Sequence, residues 1–274
     1  MAQNPLQQYF RQPKVYIKLP SEGAYNAPGT LSGDLTNVAI YGMTGMDEII
    51  AKTPDALLSG ESVAQILSSC CPSIKDPWAL TMLDLNPVLA AVRIATYGNT
   101  ITVQHTCPKC DTENQYDVDI STIIDYYNNC KFDPDLILKD ITVKLRPLTY
   151  KQSTDFSLRN FGIQQRITQI EEMTANTPER TEATDALFKD LADIQREMYI
   201  AGVDSVQTPQ TTVTEQQWIS EWLANTDKSV FDAIKEHNLK NREKFTNPPF
   251  PVVCLNCSSE NNIVIDIDQS NFFA

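Results

Sequence analysis

CPKCDTENQYDVDI at 107–120 and CLNCSSENNIVIDI at 254–267 are the stretches on which the architecture of this 274-residue chain turns. Aligned on their cysteines, they share Cys107/Cys254, Cys110/Cys257, Glu113/Glu260, Asn114/Asn261, Asp119/Asp266 and Ile120/Ile267. Each reads as a tight Cys-x-x-Cys knuckle running into a strand. Two such pairs supply four thiolates, the full complement of one tetrahedral Zn²⁺. The expected metal ligands are therefore Cys107, Cys110, Cys254 and Cys257. Four thiolates close the coordination shell and leave no position for water or substrate, so the expected role of the zinc is structural. Residues 111–253 lie between the knuckles, and a shared metal would fold that length of chain back on itself.

The remaining cysteines and histidines add no second site. Cys70, Cys71 and Cys130 lack metal spacing, and Cys70-Cys71 reads as apolar packing on a helix. His105 lies two residues before Cys107 and could compete as a ligand. With four thiolates at hand it reads as a strand residue.

Composition narrows the function classes. A 42% apolar fraction describes a folded chain with material for a real core. No apolar run reaches the ~18 residues a membrane span needs. The N-terminal stretch MAQNPLQQYFRQPK has no apolar h-region, so no secretory signal is expected. The expected compartment is then the reducing one where the chain is made, which favours metal over disulfides. The net charge of −13 and pI near 4.6 repel phosphate backbones and anionic lipid. Only Lys109 brings positive charge near the knuckles, which counts against nucleic acid as a ligand.

Between these landmarks the pattern changes period. VYIKL (15–19) and NVAIYGM (37–43) read as short strands flanking a Gly/Pro-rich loop. Helical text follows from Thr44, with Thr53-Pro54-Asp55 as a cap and first-turn proline. Further helices are expected at 61–71, from Asp76-Pro77-Trp78, and at 85–98, the last apolar nearly all round and so buried. ITVQHT (101–106) is the strand that delivers the first knuckle, and DLILKDITVKLRPLTY (135–150) is a hairpin turning at Lys139-Asp140. Two long helices are expected at about 151–173 and 182–199, separated by a turn at Thr174–Glu179. Phe156, Ile163, Ile167 and Ile170 would face Leu187, Leu191, Ile194 and Met198 in a heptad-like seam. The outer face of that arm is also a candidate for docking a partner helix. Residues 203–214 read as a polar linker, and 215–224 and 229–242 as helices, the first presenting Trp218 and Trp222 as core residues.

The expected fold class is α+β: a compact mixed domain with a zinc-ribbon-like pair of knuckles and an inserted helical hairpin arm. Residues 1–150 plus 245–274 form the core in this reading, and 151–244 a mainly helical insert. Enzyme signatures are missing. The chain has no P-loop, dinucleotide-binding glycine pattern, HExxH or nucleophile elbow, and its two histidines, His105 and His237, have no nucleophile motif beside them. Asp117/Asp119 and Asp266/Asp268 alternate along strands and read as solvated faces.

Residues 41–98 carry a resemblance. MTGMDE (43–48), TPDALLSG (53–60) and CCPSIKDP ending at Pro77 are followed in order by RIATYG (93–98), CPKC (107–110) and RPLTYKQ (146–152). This series resembles the baseplate hub and hub-assembly proteins of T-even-type contractile-tailed bacteriophages over about residues 15–155. The resemblance implies a non-enzymatic protein that helps build the central hub of the baseplate. Its implied partners are other hub, tube-initiator or tape-measure proteins. Its implied location is the virion tail baseplate, or the host cytoplasm during assembly, and family members differ in whether they stay in the finished particle. Two other readings compete with it. One is a zinc-ribbon regulator binding nucleic acid or polymerase; the other is a cell-wall hydrolase using paired carboxylates.

Overall fold

The computed structural model describes residues 4–53, 59–171 and 177–265. The expected cap at Thr53-Pro54-Asp55, the TPDALLSG stretch, the turn at Thr174–Glu179 and the pair Asp266/Asp268 fall wholly or partly outside them. Residues up to Lys131 and from Phe245 onward belong to one compact unit, and Phe132–Lys244 to a second.

In the first unit, strand β1 (Pro13–Ile17) pairs antiparallel with β2 (Val38–Tyr41), burying Ile17, Val38 and Ile40. Helix α1 (Gly45–Ala51) starts at a reciprocal cap. The Thr44 side chain accepts from the Asp47 N–H, and the Asp47 carboxylate accepts from the Thr44 N–H at 2.7 Å. Arg11 fastens the chain upstream of β1 to this corner, donating to the carbonyl and hydroxyl of Ser69 and reaching Asp47 at 3.4 Å. Helix α2 (Glu61–Cys70) follows Gly60, whose φ of 78° is readily adopted by glycine. Cys70 and Cys71 are both fully buried, as apolar packing requires. Asp76-Pro77-Trp78 makes a single 3₁₀ turn (Pro77–Ala79), and the long helix α3 starts only at Met82 and runs to Tyr97.

Helix α3 is buried on almost every side, as its all-round apolar pattern demands, with Leu83, Leu85, Val88, Leu89, Val92 and Ala95 inside. Each of these leucines and valines contributes about 1.5–3 kcal/mol on removal from water. One polar knot anchors its start: Asp84, fully buried, accepts from the Ser21 N–H (2.9 Å), the Ser21 hydroxyl, the Asn26 amide (3.2 Å) and the Thr81 hydroxyl (3.2 Å). Burial pushes the Asp84 carboxyl up, and the bonds from Ser21, Asn26 and Thr81 only partly offset it.

Strands β3 (Thr100–Thr106) and β4 (Glu113–Asp119) form a hairpin around the first knuckle. Helix α4 (Ser121–Asn129) follows, an element the sequence pattern did not reveal. It is nine residues long and carries two isoleucines and two asparagines, so propensity argues weakly for it. It forms because Ile123 and Tyr127, one turn apart, are both buried. Strands β9 (Pro249–Val253) and β10 (Glu260–Val264) make the matching hairpin around the second knuckle.

The second unit holds a four-stranded antiparallel sheet in the order β5-β6-β7-β8, from β5 (Asp135–Leu138), β6 (Ile141–Leu145), β7 (Val203–Gln207) and β8 (Thr212–Val213). Three expectations change here. Residues 203–214 are not a linker: they supply β7 and β8, because Val203 and Val206 are buried and β7 bonds along β6. For the same reason the hairpin at 135–145 groups with the insert, so the units divide at 131/132 and not at 150/151. Helices α5 (Tyr150–Glu171) and α6 (Pro178–Ala201) form the arm. Their seam buries Ile163, Leu187 and Ile194, with Phe156, Ile167, Ile170 and Leu191 packed around them. Helices α7 (Gln216–Asn225) and α8 (Lys228–Lys244) complete a core of Val143, Leu145, Val203, Val206, Ile219, Leu223 and Ile234. The buried stripe of α7 is Ile219/Leu223, so Trp222 only flanks the core and Trp218 is 57% exposed, against the expectation of a core tryptophan pair.

Each unit clamps its own side of the chain crossings. In the first, the Tyr127 hydroxyl donates to Phe245 O (3.0 Å) or to Asn247 Oδ1 (2.8 Å), tying the exit to the return. In the second, the buried Asn241 accepts from Asp133 N–H (3.0 Å) and donates to Asp133 O (2.7 Å).

Two outcomes test this core. A Cβ at Gly42 would lie 2.7 Å from the Ala95 carbonyl oxygen of α3. Gly42→Ala is expected to cost about 1–3 kcal/mol, read as a lower melting temperature. For Asp84, whose folded pKa is raised, the folded state binds the proton more tightly than the unfolded chain. Its contribution to stability therefore falls as pH rises from about 4 through the folded value. Urea unfolding should show wild-type stability falling relative to Asp84→Asn across that window, with a constant difference above it.

Candidate metal centre

Both knuckles are built by the same backbone device. In the first, Cys107 N–H donates to Thr112 O (3.0 Å) and Asp111 N–H to Cys107 O (2.9 Å). In the second, Cys254 N–H donates to Ser259 O (2.9 Å) and Ser258 N–H to Cys254 O (3.0 Å). The residue after each second cysteine takes a left-handed conformation, φ 52° at Asp111 and 58° at Ser258. These are short polar residues, of which aspartate is enriched in that region. The sequence repeat at 107–114 and 254–261 is thus a structural repeat in the backbone hydrogen bonds of its turns.

The two turns bring the four expected cysteines together. One sulfur from each of Cys107, Cys110, Cys254 and Cys257 lies within 4.8 Å of all the others. Between the knuckles, Cys107 lies 3.7 Å from Cys257 and Cys110 lies 3.7 Å from Cys254. A disulfide requires about 2.0 Å, whereas four sulfurs at about 2.3 Å from one ion stand about 3.8 Å apart. All four are free thiols. The donor set and its spacing fit a single tetrahedral ion.

Electrostatics favour the same occupant. The Ser259 hydroxyl, 3.2 Å from the Cys107 sulfur, stabilises the thiolate and brings Cys107 down to about 5. A hydrogen bond with Thr112 lowers Cys110. Cys257, although Ser259 also bonds to it, is pushed up by the neighbouring Cys110 and Cys254. Several thiolates within one sphere repel one another until a cation neutralises them.

Two residues emerge that the cysteine pattern alone did not single out. Asn114, nearly fully buried, accepts from the Leu255 N–H (3.1 Å) and lies 3.5 Å from the Cys254 sulfur through its amide nitrogen. Asn261 reaches the Cys107 sulfur at 3.8 Å. Their shared place in the repeat was the available signal. His105 sits on β3 opposite Asn114 and is not a member of the sulfur cluster. Across the two hairpins, the Tyr116 hydroxyl donates to Val253 O (3.0 Å) and the Asn256 amide to Thr112 Oγ1 (3.0 Å).

The outward sides of the two hairpins differ in chemistry. On the first, Thr100, Thr102, Gln104 and Thr106 stand beside Glu113, Gln115, Asp117 and Asp119, all exposed. On the second, Pro249, Pro251, Val253 and Val264 are exposed beside Glu260 and Asn262, and Leu255 at the knuckle tip is 79% so. Neither strand face carries a lysine or an arginine. Among the described residues no helix is long and apolar enough to cross a membrane.

A family model described as T4 bacteriophage base plate protein matches residues 43–274, which include both knuckles and the whole insert. No curated protein and no solved structure matches the chain. The match begins at Met43, later than the resemblance at about residues 15–155, and runs past it to residue 274, so the insert is included; the chain belongs to the T4 bacteriophage base plate protein family.

Proposed function

We propose that this baseplate protein is a non-enzymatic structural or assembly component of the baseplate hub, braced by one Zn²⁺ on Cys107, Cys110, Cys254 and Cys257. The observation that carries the metal is the gathering of four sulfurs within 4.8 Å. When bound, zinc would supply a closed tetrahedral crosslink between the hairpin at 100–119 and the hairpin at 249–264, and no open coordination position. The protein's own residues set up that crosslink, with Ser259 and Thr112 favouring ionised thiols and the knuckle turns aiming them inward.

The partners would be other proteins of the tail: hub, tube-initiator or tape-measure components. Candidate contact surfaces are the arm, where Leu158, Phe161 and Phe188 are exposed, and the second metal hairpin, where Val253, Leu255 and Val264 are. A nucleic-acid role gains nothing from the site, because the hairpin face at 100–119 is polar and acidic and the chain carries a charge of −13.

Cys107→Ser and Cys254→Ser are expected to leave the purified protein without stoichiometric zinc, to lower its melting temperature and to stop particle formation. Elemental analysis, thermal unfolding and complementation of a phage lacking the protein check these outcomes; a wild-type protein purified without zinc would sink the zinc reading. Mass spectrometry of purified particles beside infected-cell lysate tests the role itself. A structural subunit is expected in the particles, an assembly factor only in the lysate, and presence in neither fraction of tail intermediates would refute a hub role.

A further inference from the structure

The two knuckles are twins in backbone geometry, but the side chains that tie them together are not equal. Asn114 Nδ2 lies 3.5 Å from the sulfur of Cys254 and donates to Thr112 O at 2.9 Å, while Asn114 Oδ1 takes the N–H of Leu255 at 3.1 Å. The amide of one hairpin therefore holds both the first cysteine of the other knuckle and the backbone after it. Asn261 repeats the first half of this arrangement. Its Nδ2 donates to Ser259 O (3.2 Å) and lies 3.8 Å from the sulfur of Cys107. The second half has no counterpart. The residue that corresponds to Leu255 is Pro108, which has no N–H to give. Asn114 is 4% exposed, and Asn261 is only half-buried.

We propose that Asn114 and Asn261 are reciprocal positioning residues for the metal, each holding the first cysteine of the opposite knuckle, and that Pro108 makes the pair unequal, with Asn114 dominant. This rests on the zinc reading above and names the residues that make it work. An N–H directed at a metal-bound sulfur stabilises its negative charge and fixes its direction, and groups placed this way typically contribute about 10–100-fold to metal affinity. Asn114 also fixes the backbone of the second knuckle, so its bonds draw the two hairpins together before any ion arrives. Asn114 would thereby present ligands that already face one another to an incoming ion, which would need little further rearrangement to be held.

Cobalt(II) titration of the full-length chain, followed by its sulfur-to-metal charge-transfer and ligand-field absorption, reads both affinity and geometry. Asn114→Ala is expected to weaken cobalt binding by about 10–100-fold. Asn261→Ala should weaken it by less than about tenfold, as fits its longer contact and missing anchor. Asn114→Asp keeps an acceptor for Leu255 but removes the N–H aimed at Cys254. It should therefore lose affinity and shift the charge-transfer band while the circular dichroism of the protein stays unchanged. Pro108→Leu restores the missing donor and should tighten binding in the wild-type background but not beside Asn261→Ala. Equal losses for the Asn114 and Asn261 variants, or unchanged affinity and spectra in both, would overturn the proposal. Failure of the unaltered chain to take up cobalt would overturn the metal reading itself, and this inference with it.

Discussion

The convergence of four thiols from two ends of a long chain is the constraint around which this protein is arranged. Cys107 and Cys110 are separated from Cys254 and Cys257 by residues 111–253, yet their sulfurs share one small sphere. Closing a loop of that size costs about 5 kcal/mol of chain entropy. Several interactions offset the cost at this junction without any ion: the Asn114 anchor to Leu255, the Tyr116 bond to Val253 O and the Tyr127 bonds to Phe245 and Asn247. A closed thiolate site would add its binding energy only to the folded state.

The same junction explains how the chain accommodates an inserted unit. The first unit ties its exit to its return through Tyr127, and the second ties its own ends together through Asn241 and Asp133. Each unit then keeps an independent core, one around the buried helix α3 and one between the sheet and helices α7 and α8. Each unit also keeps large apolar residues at its own surface: Phe161 and Phe188 lie on the arm, and Val253, Leu255 and Val264 on the second metal hairpin.

Duplicated geometry has been put to two uses. The hairpins agree in turn structure, register and ligand spacing, because those features build the metal site. Their outer faces diverge, one wholly polar and acidic, the other setting prolines and valines beside Glu260 and Asn262, because no ligand depends on them. Prolines at 249 and 251 also leave β9 poor in N–H donors, which discourages strand addition along that edge.

What the amino-acid order determined by itself was every local feature with a strong period or a demanding geometry. The two knuckles, the all-round apolar α3, the arm with its seam and the family membership were all legible from spacing and order. Elements that exist because of distant partners were not. Helix α4 is short and of poor propensity, and forms because Ile123 and Tyr127 find a core. Residues 203–207 read as polar linker until β6 is seen beside them, and that pairing also moves the hairpin at 135–145 into the insert. Trp218 and Trp222 looked like a core pair, but which stripe of α7 turns inward was decided by Ile219 and Leu223 meeting the sheet. Asn114 and Asn261 stood in the alignment without a role, since an amide acquires one only when folding sets a sulfur from the opposite end of the chain beside it.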